Sequence, residues 1–111
     1  MTTLTGTEHS AMLRIHAELL DRLVAAAPQR RDPGAWDPDP ATGEAAWIVR
    51  ERHLLRDAVN QHRAARGLDP VSDEDIRPLE SQAEGHSDYA HKFALYCANL
   101  AVGIDPLARP C

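Results

Sequence analysis

Apolar residues recur with helical spacing in four separate stretches of this chain, and the strict alternation of a half-buried strand persists nowhere. Residues 8–27 place Met12, Leu13, Leu19, Leu20, Leu23, Val24 and Ala27 on one face, with Arg14, Glu18, Asp21 and Arg22 toward the other. This predicts an amphipathic helix capped by Thr7, with Glu8 complementing its dipole and Pro28 ending it. Residues 28–43 hold four prolines and two glycines, so a loop without regular structure is expected there. A second helix is predicted over about 44–66, beginning either at Pro40 with Asp39 as cap or at Gly43 with Thr42 as cap, with Gly67 just past its end and Pro70 beyond. Its apolar positions are Trp47, Ile48, Leu54, Leu55, Ala58, Val59 and Ala65, while Arg52, Arg56 and Arg63 line one outer edge.

Residues 72–84 are acidic and carry Ile76, Leu79 and Ala83 at helical spacing behind a Ser72/Asp75 capping box. Pro78 removes an internal hydrogen bond, which predicts one turn, a kink and a second short piece. The last stretch, 87–103, is apolar around almost its whole circumference and can be capped by Ser87. Tyr89, Phe93, Tyr96, Leu100 and Ile104 form one stripe, and Ala90, Ala94, Cys97 and Ala101 form a stripe of small residues beside it. A helix of this kind must be buried. Either the other helices surround it or a second copy of the chain covers its outer side, and a homodimer is expected on that ground.

The expectation is therefore an all-α fold: a small bundle of three main amphipathic helices plus a short kinked acidic helix, the last helix central or at a dimer interface. Residues 1–111 read as one domain, with 1–7 a flexible N-terminus, 28–43 a Pro-rich loop and 104–111 an irregular tail. A length of 111 residues suits a single core. No apolar run approaches the roughly 18–20 residues that span a bilayer, and no charged-then-apolar leader opens the chain, so no membrane and a cytoplasmic location are expected. Cys97 falls on a core face and Cys111 on a Pro-flanked tail, which argues against a disulfide between them. Eleven arginines against one lysine reflect the codon usage of a GC-rich bacterial genome.

Charge divides unevenly. Residues 50–66 carry five arginines and two acids, and residues 69–88 carry seven acids and one arginine. Because the whole chain is at −5 and the basic edge lacks interleaved aromatics, pairing of the two segments is expected in preference to nucleic-acid binding. Three polar residues interrupt apolar faces: His16 in the first helix, Glu51 and His62 in the second. They are expected to be buried polar groups hydrogen-bonded in or at the rim of the core. A metal is not expected, since the chain has no Glu-x-x-His, His-x-x-x-His or Cys-x-x-Cys, and no cofactor motif is present.

The string from Arg56 through Asp57 to His62 resembles the Arg-x(4–6)-His motif of HEPN-type ribonucleases, small all-α domains that usually dimerise. The resemblance implies Arg56 as phosphate ligand, Asp57 as the polar residue after it and His62 as general acid or base. It covers seven residues, and the two side chains lie about 120° apart on a helix, so convergence would need a second copy. The leading expectation is a non-enzymatic protein–protein interaction or regulatory module with no catalytic residues, whose partner surface is formed by Trp36, Arg52, Arg56 and Arg63. The HEPN-like ribonuclease or toxin is one alternative, and a small-molecule-binding bundle lined by His16, Glu51, Tyr89 and Tyr96 is another.

Overall fold

A computed structural model describes residues 6–106, so most of the expected N-terminal tail and the end of the C-terminal one, with Cys111, lie outside the described residues. The elements in chain order are α1 (Gly6–Ala26), a 3-10 turn (Ala27–Arg31), α2 (Ala46–Ala65), α3 (Asp73–Glu84) and α4 (Tyr89–Ala101). Among the described residues the only extended pairing is an isolated bridge between Pro38 and Ala45. The fold is the all-α bundle that the apolar spacing predicts.

Helix α4 is its centre. It packs against α1, α2 and α3, most extensively against α1. Ala94, Cys97, Ala98 and Ala101 are fully buried on it and let neighbouring backbones approach, while Phe93 fills the space between them. Burying Phe93, Leu19, Leu23, Leu55 and Ile76 stabilises the fold by about 1.5–3 kcal/mol each. The chain's own helices cover one side of α4, while Tyr89, Leu95, Tyr96 and Leu100 remain half-buried.

Several expectations at the element ends are corrected. Helix α1 starts at Gly6, so Thr7 is already inside it and is not the cap. The segment after Pro28 is not wholly irregular: it continues as a 3-10 turn, where a proline near the start has no hydrogen-bond partner to lose. Helix α2 begins at Ala46 with Ala45 as its cap residue, and neither Asp39 nor Thr42 caps it. The loop backbone does so instead, with Ala46 N–H donating to the Asp37 carbonyl and Trp47 N–H to the Ala35 carbonyl, both at 2.9 Å. Asp39 organises the turn before the helix, accepting from the amides of Ala41 and Thr42. Helix α4 begins after Asp88, not after Ser87.

Helix α3 runs unbroken through Pro78, so the expected division into two pieces does not occur. The proline costs one hydrogen bond near the start of the helix, on its exposed side, while Ile76, Leu79 and Ala83 are held in the core. Asp75 Oδ2 accepts from the Ser72 amide at 2.9 Å, the reach-back half of the expected capping box. On α1 the buried face is Ala11, Met12, Ile15, Leu19 and Leu23, whereas Leu13 (48% exposed) and Val24 (62% exposed) face outward, contrary to expectation. On α2, Ala65 is exposed and Trp47, Ile48 and Leu54 are half-buried.

Candidate functional site

Ion pairs organise the polar residues into four clusters. In the first, Arg52 is 1% exposed and bridges two helices to the loop. Its Nε and Nη2 donate to the Glu80 carboxylate at 3.3 and 2.7 Å, and Nη1 donates to Glu44 Oε1 at 3.0 Å. Nη2 also donates to Glu44 Oε2. Burial opposes the charge on Arg52, yet the hydrogen bonds to Glu44 and Glu80 outweigh it and hold the guanidinium above its ordinary pKa. Burial raises the Glu80 carboxyl above its ordinary value, and Arg52 only partly offsets this. Arg77 approaches Glu44 from outside at 3.6 Å. Arg52 therefore belongs to the core and is corrected from the partner surface on which the outer-edge pattern placed it.

The second cluster joins the Pro-rich loop to α2. Arg30 donates through Nε and Nη2 to the two oxygens of Glu51, both at 2.8 Å. Glu51 is 3% exposed, as expected for a buried polar residue, and this bidentate pair raises the Arg30 pKa. The Arg30 guanidinium also lies 4.3 Å from the centroid of the Trp47 ring, a cation–π contact. Trp36 meets Trp47 edge-on at 5.5 Å and donates its Nε1–H to the Arg30 carbonyl at 2.9 Å. Both indoles are thereby fixed, but Trp36 remains 68% exposed. Beside them a cleft of about 460 Å³ runs between the end of α1 and α2, bounded by Arg22, Gln29, Arg50, Glu51, His53 and Asp57 around Leu54.

The third cluster is on the opposite end of α2. His62 Nε2 lies 2.5 Å from Glu18 Oε2 on α1. That hydrogen bond holds the Glu18 carboxyl below its ordinary range. The pair lines an open cleft of about 480 Å³ together with Arg14, Arg66, Ala11 and Ile15. His62 is half-buried at the rim of the bundle.

His16 engages neither Glu51 nor His62. It packs edge-on against His91 of α4, with centroids 4.5 Å apart, and its Nε2 lies 3.3 Å from the His91 carbonyl oxygen. Desolvation, with the nearby His91 ring, lowers its pKa. In the fourth cluster the Arg56 guanidinium donates to Asp57 and to Asp73 at the start of α3, while Asp73 also meets His53 at 2.8 Å. Arg56 thus faces α3 and His62 faces α1, so within one chain the two residues of the Arg-x(4–6)-His pattern engage different helices. Arg63 donates to the carbonyl of Asp69, in the loop after α2, at 2.6 Å and to that of Leu100, in the last turn of α4, at 2.7 Å. Of the residues proposed for a small-molecule pocket, Glu51 pairs with Arg30, His16 packs on His91, and Tyr89 packs on Phe93 at 5.7 Å.

Arg30, Glu44, Glu80 and Glu18 were not singled out by sequence, although each completes one of these clusters. Arg30 and Glu44 lie at the edges of the Pro-rich segment, and their partners are 21 and 8 residues away. Only the acidic character of 72–84 hinted at Glu80, through the expected pairing with the basic helix. That pairing is made within one chain, by Arg52 with Glu80 and Arg56 with Asp73. Among the described residues no group of three or more His, Cys, Asp or Glu is arranged to hold a metal ion, and no helix is long and apolar enough to cross a membrane. Comparisons with known protein families, with curated proteins and with solved structures find no match to this chain.

Proposed function

We propose that this protein is a small non-enzymatic interaction or regulatory module that holds a protein partner on the platform formed by Trp36, Trp47 and Arg30. The observation that carries the reading is an indole 68% exposed yet locked by a hydrogen bond and an aromatic edge contact. Tryptophan and arginine dominate the energetics of protein interfaces, and a side chain already ordered loses little entropy on binding. We also place the protein in the cytoplasm, and include self-association in the proposal.

The test is capture by the tagged protein from its native lysate, with and without nuclease, using the wild type and Trp36→Ala. A stoichiometric protein that survives nuclease and is lost with Trp36→Ala, while circular dichroism shows the variant folded, is the expected result. Equal capture by Trp36→Ala, or retention of RNA alone, overturns it.

A second reading is a metal-independent ribonuclease of HEPN-like type. The observation in its favour is the His62–Glu18 pair in an open cleft that also holds Arg14 and Arg66, neither of which has an ion-pair partner among the described residues. In that reading His62 exchanges the proton, and arginines neutralise the phosphate. RNA cleavage abolished by His62→Ala is its expected signature; unchanged cleavage removes it.

A further inference from the structure

The outer face of α1 carries a second apolar pattern, distinct from the one that faces the core. Leu13, Ala17, Leu20 and Val24 are spaced four, three and four residues apart. This is the spacing of a coiled-coil seam. Leu13 and Val24 are 48% and 62% exposed, Ala17 is exposed and Leu20 is half-buried. The seam lies on the side of α1 away from Ile15, Leu19 and Leu23: Leu20 packs partly against the core, while Leu13, Ala17 and Val24 face outward. Arg14 and Asp21 flank it on the same edge, seven residues apart. Both are exposed, and neither forms an ion pair or hydrogen bond among the described residues, in a protein where most arginines of α2 are paired.

We infer that α1 is the interface of a homodimer in which two copies of this helix pack antiparallel, Leu13 against Val24 and Ala17 against Leu20 of the second copy. The charges select this orientation. In an antiparallel pair, equivalent edges face each other, so Arg14 of one copy meets Asp21 of the other, and the contact occurs twice by symmetry. A parallel pair would instead set His9 against Arg14 and leave only His16 opposite Asp21. The small side chain of Ala17 near the middle lets the helices approach. Glu18 lies one turn beyond Arg14 toward that same edge, so the antiparallel pair also sets the two His62–Glu18 pairs on one side of the dimer. The 21-residue helix is about 30 Å long, but the seam uses about half of it. Its area falls well below the roughly 800 Å² per partner of a tight complex, so the dimer is weak and concentration-dependent.

This inference rests on the proposed self-association and specifies its surface. Sedimentation equilibrium over the micromolar to high-micromolar range tests it on the full chain. The wild type is expected to shift from monomer to dimer, and Ala17→Glu, at an exposed position, to remain monomeric with an unchanged circular dichroism spectrum. Asp21→Arg, which sets arginine against arginine at both contacts, is expected to weaken the dimer about tenfold. The double change Arg14→Asp with Asp21→Arg restores opposite charges and is expected to recover the wild-type affinity. A wild type monomeric at every concentration overturns self-association and its surface together. A dimer indifferent to Ala17→Glu and to the charge changes overturns the α1 surface alone.

Discussion

Arg52 shows how a charge can sit in the interior of so small a bundle. Its planar guanidinium makes four hydrogen bonds, two to Glu80 and two to Glu44, in a fork that a lysine ammonium could not reproduce. Such a network contributes little net stability when intact, but removing one member strands the others. Arg52→Ala leaves Glu80 buried without its cation and is expected to destabilise the protein by about 3–5 kcal/mol. Arg52→Met combined with Glu80→Leu is expected to recover most of that loss, because no buried charge then lacks a partner. Urea unfolding of the two variants decides the matter, and a cost below about 1 kcal/mol for Arg52→Ala would show that the network holds nothing. Sequence alone misplaced this residue, since an arginine on the flank of an apolar stripe looks solvated until its carboxylates are known.

At the level of elements, the ends of the helices are set by different devices. Helix α2 is started by loop carbonyls and not by a side chain, which no cap motif in the sequence announces. Its end was legible, because Gly67 adopts φ +72° and the Leu68 amide bonds back to the Arg63 carbonyl at 2.9 Å. Helix α4 ends in the same way at Gly103, with φ +88°. The two sites differ in their surroundings: a Cβ at Gly67 meets open space, whereas one at Gly103 would lie 3.1 Å from Leu68 Cδ1. Gly67→Ala is expected to cost about 1 kcal/mol through backbone strain alone, and Gly103→Ala more. Thermal unfolding that ranks them the other way would refute the assignment. Pro78 teaches the opposite lesson. It removes one internal hydrogen bond, but the burial of Ile76, Leu79 and Ala83 keeps α3 in one piece despite it.

For the whole molecule, several carboxyl groups tie the helices together and make stability depend on pH. The Glu18, Glu44 and Asp73 carboxyls all sit below their ordinary values: Glu18 through His62, Glu44 through Arg52, and Asp73 through His53 and Arg56, which outweigh its burial. The unfolded chain therefore binds these protons more tightly, and their stabilisation is present above the ordinary carboxylate range and lost as pH falls through the lower folded values. His16, with its pKa lowered from 6.5, adds a loss as pH falls through that value. Glu80 acts in the opposite sense, since burial raises its pKa and protonation relieves it. The expected outcome is a melting temperature that declines gently below about pH 6.5 and steeply below about pH 4.5, measured by calorimetry across that range. A melting temperature that holds or rises on acidification would contradict the assignment. The sequence by itself determined the helical class, the number of helices and the burial of the last one, because apolar spacing and breakers act locally and each segment declares its own period. Which side of α1 faces the core, which arginine becomes interior and which histidine meets which carboxylate were decided only by the tertiary structure. Those choices depend on partners 8 to 75 residues away, and the angle at which one helix meets another is not written in either helix alone.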